Sequence, residues 1–498
     1  MITISSKKNK YTYNVYHLVK SFFPNEEIIQ KVDEKQEPLT VVDMPGGSCF
    51  SIAPGEVEGS LEAKNPGSSY SSEEEWQQAV KKELTRRLYQ VLSDDTGRQL
   101  AWGTLTGVRP TKMAMKRLDA GMTPEETAEE LMGEYFVSPK KARLACEVAQ
   151  RERELLSRLN GPGGFSLYVG IPFCPSVCSY CSFSSSPIEM WKSRVDDYLD
   201  ALTKEIRALG ELTGGHKPDT VYIGGGTPTT LEPEQIHRLL DTVGEAFDLS
   251  GVLEYTVEAG RPDSITKEKL AAIRDYPVTR ISVNPQTMQQ KTLDLVGRRH
   301  TVEQTVSAFH LAREMGFDNI NMDLIAGLPG ETVEDMQDTL SKVEALRPDS
   351  LTVHALAIKR AARFGQEGRT ANLHHEISGM VEEAYARARR MGLVPYYLYR
   401  QKNIAGNFEN VGYAELDKAG IYNILIMEEK QTILAAGAGA STKILLREPI
   451  RREGGKEANL VRVENVKNIE EYIARIDEMI ERKRHMAYHY AAGNTADR

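Results

Sequence analysis

Cysteine is scarce in this chain, with five among 498 residues. So few, and an odd number, exclude a disulfide-stapled framework and point to a reducing compartment. Long hydrophobic runs are missing too. No stretch of about 18 apolar residues occurs, so no transmembrane helix is predicted. The opening MITISSKKNKYTYNVYHLV holds no apolar leader segment, so no secretory signal is predicted and the cytoplasm is the expected location. A positive charge excess is absent: the net charge is −9, which excludes a global basic field for wrapping nucleic acid. What remains is an ordinary globular composition, 40% hydrophobic and 27% charged, on a chain long enough for two or three domains.

Three of the five cysteines fall within eight residues, in Tyr168–Phe183, YVGIPFCPSVCSYCSF. They read Cys174-x-x-x-Cys178-x-x-Cys181. Thiolates ligate iron–sulfur clusters, and a cubane usually takes four. Three local cysteines hold three corners and leave one iron open to bind and polarise something else. A structural zinc wants four closed ligands, and no fourth Cys or His lies nearby at finger-like spacing. The remaining two, Cys49 and Cys146, read as buried small apolar residues.

Residues 1–95 read as a small α+β unit. YTYNVYHLV, PLTVVDM and SCFSIA suggest strands, and Glu73 to Leu92 an amphipathic helix with Trp76, Val80, Leu84, Leu88 and Val91 at helical spacing. Residues 96–158 look helical, with Thr123-Pro-Glu-Glu and Ser138-Pro as helix starts. Asn160-Gly-Pro-Gly-Gly164 reads as a linker, giving an N-terminal domain over 1–160. From Phe165 the rhythm becomes strand, Gly-rich turn, helix. Candidate strands are Leu167–Ile171, Thr220–Gly224, Glu254–Glu258, Thr279–Asn284, Asn319–Ile325 and Ser350–His354. Candidate helices include Arg194–Leu209, Pro233–Phe247, Val302–Met315 and Val333–Leu346. Near-continuous apolar strands alternating with helices imply a parallel sheet with helices outside. Six units are too few for an eight-strand barrel, so the expected fold class is α/β: a partial (β/α)6 barrel over 165–360. The N-terminal α+β domain precedes it, and a C-terminal mixed α/β extension over 361–498 follows on the substrate side. In such folds function sits at the C-terminal strand ends.

The motifs fall there. The cysteine loop follows the first strand. Gly224-Gly225-Gly226-Thr227-Pro-Thr ends the second, where glycines allow close backbone approach to a ligand. Glu258 ends the third, and Gln286 follows the fourth in SVNPQ. Arg298 stands in GRRH, and Asp323 in DLIAGLPG. A carboxylate in a buried-looking strand is costly without a partner.

Together, Tyr168 six residues before Cys174, the IPFC segment, Tyr180 just before Cys181, GGGTPT, Gln286, GRRH and DLIAGLPG resemble the radical S-adenosylmethionine (SAM) enzymes. The resemblance covers about residues 165–360 and narrows to the oxygen-independent coproporphyrinogen III oxidases and their relatives. It implies a 4Fe–4S cluster on Cys174, Cys178 and Cys181, with SAM on the open iron. It assigns Gly225, Gly226 and Thr227 to the methionyl amine, Glu258 to a ribose or amine contact, Gln286 to a further cofactor contact, Arg298 to the carboxylate, Asp323 to the ribose and Ile325 to the adenine side. Tyr180 is implied as the aromatic beside the cluster, and Tyr168 as the group that aligns the cofactor or stabilises a radical. The implied reaction is radical removal of a β-hydrogen from propionate side chains, followed by loss of CO2 and one electron. A tetrapyrrole substrate and a low-potential donor such as flavodoxin or ferredoxin are the implied partners. The oxidases of this subgroup carry a further cysteine two residues beyond the third; here that position is Phe183, and the related heme chaperones also have an aromatic there. Candidate cations for substrate propionates are Arg261, Lys359, Arg360, Arg363, Arg400 and Lys402, interleaved with Tyr396, Tyr397 and Tyr399.

Overall fold

The computed structural model describes residues 1–24, 26–44, 47–64, 70, 72–107, 109–161, 163–181, 183–356, 374–400, 408–451 and 457–492. The propionate candidates Lys359, Arg360, Arg363 and Lys402 lie outside the described residues. The chain divides into two units. One holds Met1–Gln150 with the described parts of Arg369–Ser378 and Leu398–Glu409; the other holds the remainder.

In the first unit a four-stranded sheet has Ile2–Ser6 at its centre, parallel to Ile28–Val32 and antiparallel to Thr40–Asp43, with Cys49–Ile52 at the edge. The segment YTYNVYHLV is not a strand. It lies in the helix Asn9–Phe22, and its buried side chains include Tyr11, Val15, Leu18, Val19 and Phe22. That spacing is helical; the alternating tyrosines that suggested a strand are one buried ring, Tyr11, and one exposed ring, Tyr13. The helix Glu73–Thr96 runs beside it, and both share a core with Ile2, Ile4 and Val42. Cys49 is exposed, correcting its expected burial: on this edge strand Phe50 and Ile52 turn to the core and Cys49 and Ser51 turn away. Cys146 is buried as expected. Thr123 starts the helix Pro124–Tyr135 with a reciprocal capping box to Glu126, worth about 1 kcal/mol. Helices Thr111–Asp119 and Pro139–Leu156 complete the series.

The second unit is built on one large sheet. Its strands are β1 (Phe165–Ile171), β2 (Pro218–Gly225), β3 (Glu254–Glu258), β4 (Arg280–Ser282), β5 (Ile320–Ala326), β6 (Ser350–Ala355), β7 (Val394–Arg400), β8 (Glu409–Ala414), β9 (Thr432–Ala436), β10 (Ser441–Arg451) and β11 (Glu457–Glu464). They lie in the order β7-β8-β6-β5-β4-β3-β2-β1-β9-β10-β11. Strands β1 to β6 are mutually parallel in sequence order, as six right-handed βα units require. β9 adds in parallel beside β1, β8 pairs antiparallel with β6, and β10 with β9. The sheet is open at β7 and β11, the expected incomplete barrel.

The alternation of burial along these strands locates the site. Strands β1, β3, β5 and β6 are buried except for one half-exposed residue each: Tyr168, Glu258, Asp323 and His354. On β2 the half-exposed residues are Tyr222 and Gly225. These positions look into the interior of the curved sheet, Tyr168, Tyr222 and Asp323 from the middle of their strands and Glu258 and Gly225 from the carboxyl ends.

Candidate active site

The cysteine loop leaves β1 and is held by backbone bonds to its neighbours. The Gly226 N–H donates to the Ile171 carbonyl at 2.7 Å, and the Thr227 N–H to the Phe173 carbonyl at 2.7 Å. A side chain at Gly226 would press into those same carbonyls, Ile171 O at 2.9 Å and Phe173 O nearer still. Glycine is therefore required here by backbone meeting backbone. The Thr227 hydroxyl lies 3.5 Å from Cys174 Sγ. From the other side, the Ser179 N–H donates to Val296 O at 3.0 Å, and Ser176 Oγ to Gly297 O at 3.0 Å. The loop is thus clamped between the Gly-rich turn and the GRRH segment.

Two guanidinium groups face Cys178. Arg298, buried, places Nη1 4.0 Å from Cys178 Sγ and 3.2 Å from Tyr180 Oη, and Nη2 donates to the carbonyls of Asn284 and Gly260 at 2.6 and 3.2 Å. Arg261, 3% exposed, places Nη1 3.7 Å from the same sulfur. Arg261 is therefore no free cation for a propionate: Asp263 takes its Nε and Nη2 at 2.9 and 2.8 Å. Arg400 is spent as well, donating to Leu105 O at 2.6 Å over the Trp102 ring, inside the first unit. Tyr396 and Tyr397 are buried side chains.

The interior holds a stack of tyrosines. The rings of Tyr168 and Tyr222, paired across β1 and β2, lie 6.4 Å apart and nearly parallel; Tyr422, from the helix Ile421–Glu428, stacks on both, 4.6 Å from Tyr222. The Tyr222 hydroxyl donates to Glu258 at 2.5 Å. Gly224 leaves the room: a Cβ there would lie 2.8 Å from both the Glu258 carboxyl carbon and the Tyr222 ring. Burial pushes the Glu258 carboxyl up to about 7; the Tyr222 hydrogen bond works against this, and the Asp323 charge adds to it. Burial and the Glu258 charge hold the Tyr168 phenol well above its ordinary value. Asp323 accepts from Asn321 Nδ2 at 2.7 Å. Burial works against the charge of Arg280, but Tyr396, Glu254, Tyr222 and Asp323 outweigh it and hold the guanidinium above its ordinary value.

Gln286 has a left-handed backbone, φ +68°. Its N–H donates to Asp323 O and its carbonyl accepts from Ile325 N–H, both at 2.9 Å, forming a lone parallel bridge to β5. Ile325 packs with Val296, Leu328 and Leu356, and Tyr180 lies against that cluster. The structure therefore brings Gly225, Glu258 and Ile325 to the carboxyl ends of their strands, leaves Tyr168 and Asp323 at mid-strand in the interior, bridges Gln286 to β5, and gathers Tyr180, Thr227 and Arg298 at the cysteine loop. Sequence reasoning missed Tyr222 and Tyr422. Tyr222 was detectable as a polar ring in an apolar strand, on the same face as Gly224; Tyr422 carried no such signal.

An open parallel sheet with three thiols after its first strand and a glycine turn after its second defines a radical SAM core, and the profile of the Radical SAM superfamily matches residues 168–343. The chain belongs to that superfamily, in the group of oxygen-independent coproporphyrinogen-III oxidase-like proteins represented by HemZ of Bacillus subtilis, with which it is 44% identical over 388 residues, 76% of each chain. It is also 35% identical to the heme chaperone HemW of B. subtilis, over 42% of this chain and 55% of that one. With the oxygen-independent coproporphyrinogen III oxidase of Escherichia coli it shares 36% identity, over 38% of this chain and 41% of that one. The solved structure of E. coli HemN, described as a radical SAM enzyme, has the same fold: TM-score 0.51 at 24% identity, covering 66% of this chain and 73% of that one.

The superfamily's cofactors, a 4Fe–4S cluster and SAM, are accordingly those of this chain. Among the described residues no three or more Cys, His, Asp or Glu side chains are drawn up at the spacing of a metal centre, so the fit rests on donor chemistry. Burial, together with the neighbouring thiols, raises the Cys174 and Cys181 thiols. Bare thiolates are thus disfavoured there unless a metal supplies positive charge. Two guanidinium groups and the Thr227 hydroxyl stand where an anionic cluster would need them. The residues fit the cluster.

Proposed function

We propose that this protein is a radical SAM oxidoreductase of tetrapyrrole metabolism that decarboxylates two propionate side chains of coproporphyrinogen III, without oxygen, to give protoporphyrinogen IX. When bound, the cluster and SAM supply the reducing electron and the carbon radical that removes a β-hydrogen. Each side chain then loses CO2 and passes one electron to an acceptor, leaving a vinyl group.

The observation that carries this reading is the set of half-buried groups that neighbouring parallel strands turn inward, Tyr168, Glu258 and Asp323, beside a three-cysteine loop in a chain that is 44% identical to an oxidase-like relative. Cys174, Cys178 and Cys181 hold the cluster. Gly225, Gly226 and Thr227 set the cysteine loop against the methionyl end of SAM. Glu258 and Asp323 supply carboxylates for its ammonium and ribose, Gln286 an amide, Arg298 a cation for the carboxylate, and Ile325 an apolar seat for adenine. Tyr168 would align the cofactor or stabilise the radical. A low-potential donor, flavodoxin or ferredoxin, and a cytoplasmic setting accompany this reading. A second reading is a heme-binding chaperone: it is favoured by Phe183, which is 74% exposed just beyond Cys181, and by the HemW relatives.

Anaerobically reconstituted protein with SAM, a reductant, and either coproporphyrinogen III or heme tests these readings. Vinyl products support the first. Stoichiometric heme binding without turnover supports the second. Loss of the heme Soret band with linear tetrapyrrole products indicates a heme-degrading enzyme instead. A Cys178→Ala variant abolishes SAM cleavage under either enzymatic version.

A further inference from the structure

One strand end reaches two places. β3 turns Glu258 into the barrel interior, and three residues on it sends Arg261 back to the cysteine loop. The Arg261 fork makes four kinds of contact: Nη1 donates to the Ser176 carbonyl at 3.1 Å, Nη2 to Ser176 Oγ at 3.2 Å, Nη1 faces Cys178 Sγ at 3.7 Å, and Asp263 takes Nε and Nη2. Among the described residues no cation stands beside Cys174: its partners there are the hydroxyls of Thr227 and Ser185. The ligand environment is therefore lopsided, with the positive charge gathered on Cys178.

We propose that Arg261 is a positioning residue of the cluster: its fork fixes the Ser176–Cys178 turn, and its charge beside Cys178 favours the reduced cluster. This rests on the radical SAM reading of the three-cysteine loop. The fixing is geometric. A planar guanidinium spreads five donors over three nitrogens and so holds the carbonyl, the hydroxyl, the sulfur and both oxygens of Asp263 at once, whereas an ammonium has three donors on one atom. The tuning is electrostatic. Reduction adds negative charge to the cluster, so a buried cation close to one ligand raises the midpoint potential, and its loss lowers it. Asp263 orients the fork, and its own charge opposes the tuning. The two residues therefore have opposite effects on potential and the same effect on retention.

The test uses the full-length protein, reconstituted anaerobically, in four forms: wild type, Arg261→Gln, Arg261→Lys and Asp263→Asn. The measurements are the cluster midpoint potential by EPR-monitored titration, iron release to a chelator, and melting of the apo chain. In Arg261→Gln the potential falls and iron leaves on the order of tenfold faster. Arg261→Lys restores the potential but not the retention. Asp263→Asn raises the potential and speeds iron release. The proposal is overturned if Arg261→Gln matches wild type in potential and retention, if Arg261→Lys fails to restore the potential, or if iron loss in the variants follows only a lowered melting temperature of the apo chain. A wild-type protein that takes up no cluster overturns the radical SAM reading itself, before any variant is compared.

Discussion

Gln286 stands where a glycine would cost less. At φ +68° a side chain crowds the following carbonyl, a penalty of about 1–2 kcal/mol for residues other than glycine. The backbone is pinned there by its bonds to Asp323 and Ile325 on β5, so the strain cannot relax without breaking the bridge. Under the proposed function the cost is tolerated because the amide reaches SAM. Two substitutions separate strain from contact. Gln286→Ala removes the amide and keeps the strain. Gln286→Gly removes the amide and the strain together. Glycine also loosens the unfolded chain, which takes back about 0.4–1 kcal/mol, so the net gain of Gly over Ala is roughly 0–1.6 kcal/mol. In a chain of this size that is at most about 2 °C in melting temperature, so urea denaturation of the apo protein is the better assay. Both variants should bind SAM about 3- to 10-fold more weakly, the worth of one or two amide hydrogen bonds, read by titration calorimetry on reconstituted protein. If Gln286→Ala binds SAM like wild type, the amide is not what the strain is kept for. If Gly is less stable than Ala, the strain is not there.

Glu258 gives a pH prediction. Its folded value of about 7 lies above the ordinary carboxylate value of 4.5. Between those two values the unfolded chain ionises and the folded one does not, so its contribution to stability is full below about pH 4.5 and lost as pH rises through about 7. Glu258→Gln should therefore raise the denaturation midpoint at pH 8 relative to wild type, and leave it unchanged at pH 4.5, while weakening SAM binding. Because a bound ammonium favours the carboxylate, SAM binding to wild type should release close to one proton per site below pH 7, measured by calorimetry in buffers of different ionisation enthalpy. Tyr222→Phe removes a hydrogen bond that favours the ionised carboxylate, and should move the midpoint of that proton release to higher pH. Gly226→Ala drives a methyl into the Phe173 and Ile171 carbonyls; it should destabilise by at least about 1–3 kcal/mol and lower the iron retained after reconstitution, seen by denaturation and iron assay together.

How much of this was readable in advance depended on how far apart in the chain the partners stand. The helix Val333–Leu346 and the strand Glu254–Glu258 fall where the residues predict them, because apolar spacing and flanking turn residues are local signals. The cysteine loop was legible for the same reason: three ligands within eight residues carry their geometry in their spacing. The helix Asn9–Phe22 is not legible as one because its alternating tyrosines imitate a strand, while the buried set Tyr11, Val15, Leu18, Val19 and Phe22 follows the i, i+3, i+4 spacing of a helix face. Nothing near residue 432 announces that β9 will lie parallel to β1, more than 260 residues earlier. Arg261 shows the limit at the site itself. As a residue in AGRPD it reads as a cation awaiting an anionic substrate. Its partners are Asp263, two residues away, and Ser176 and Cys178, 85 and 83 residues away. A sequence shows that a guanidinium is present; only the fold shows that its donors are already taken.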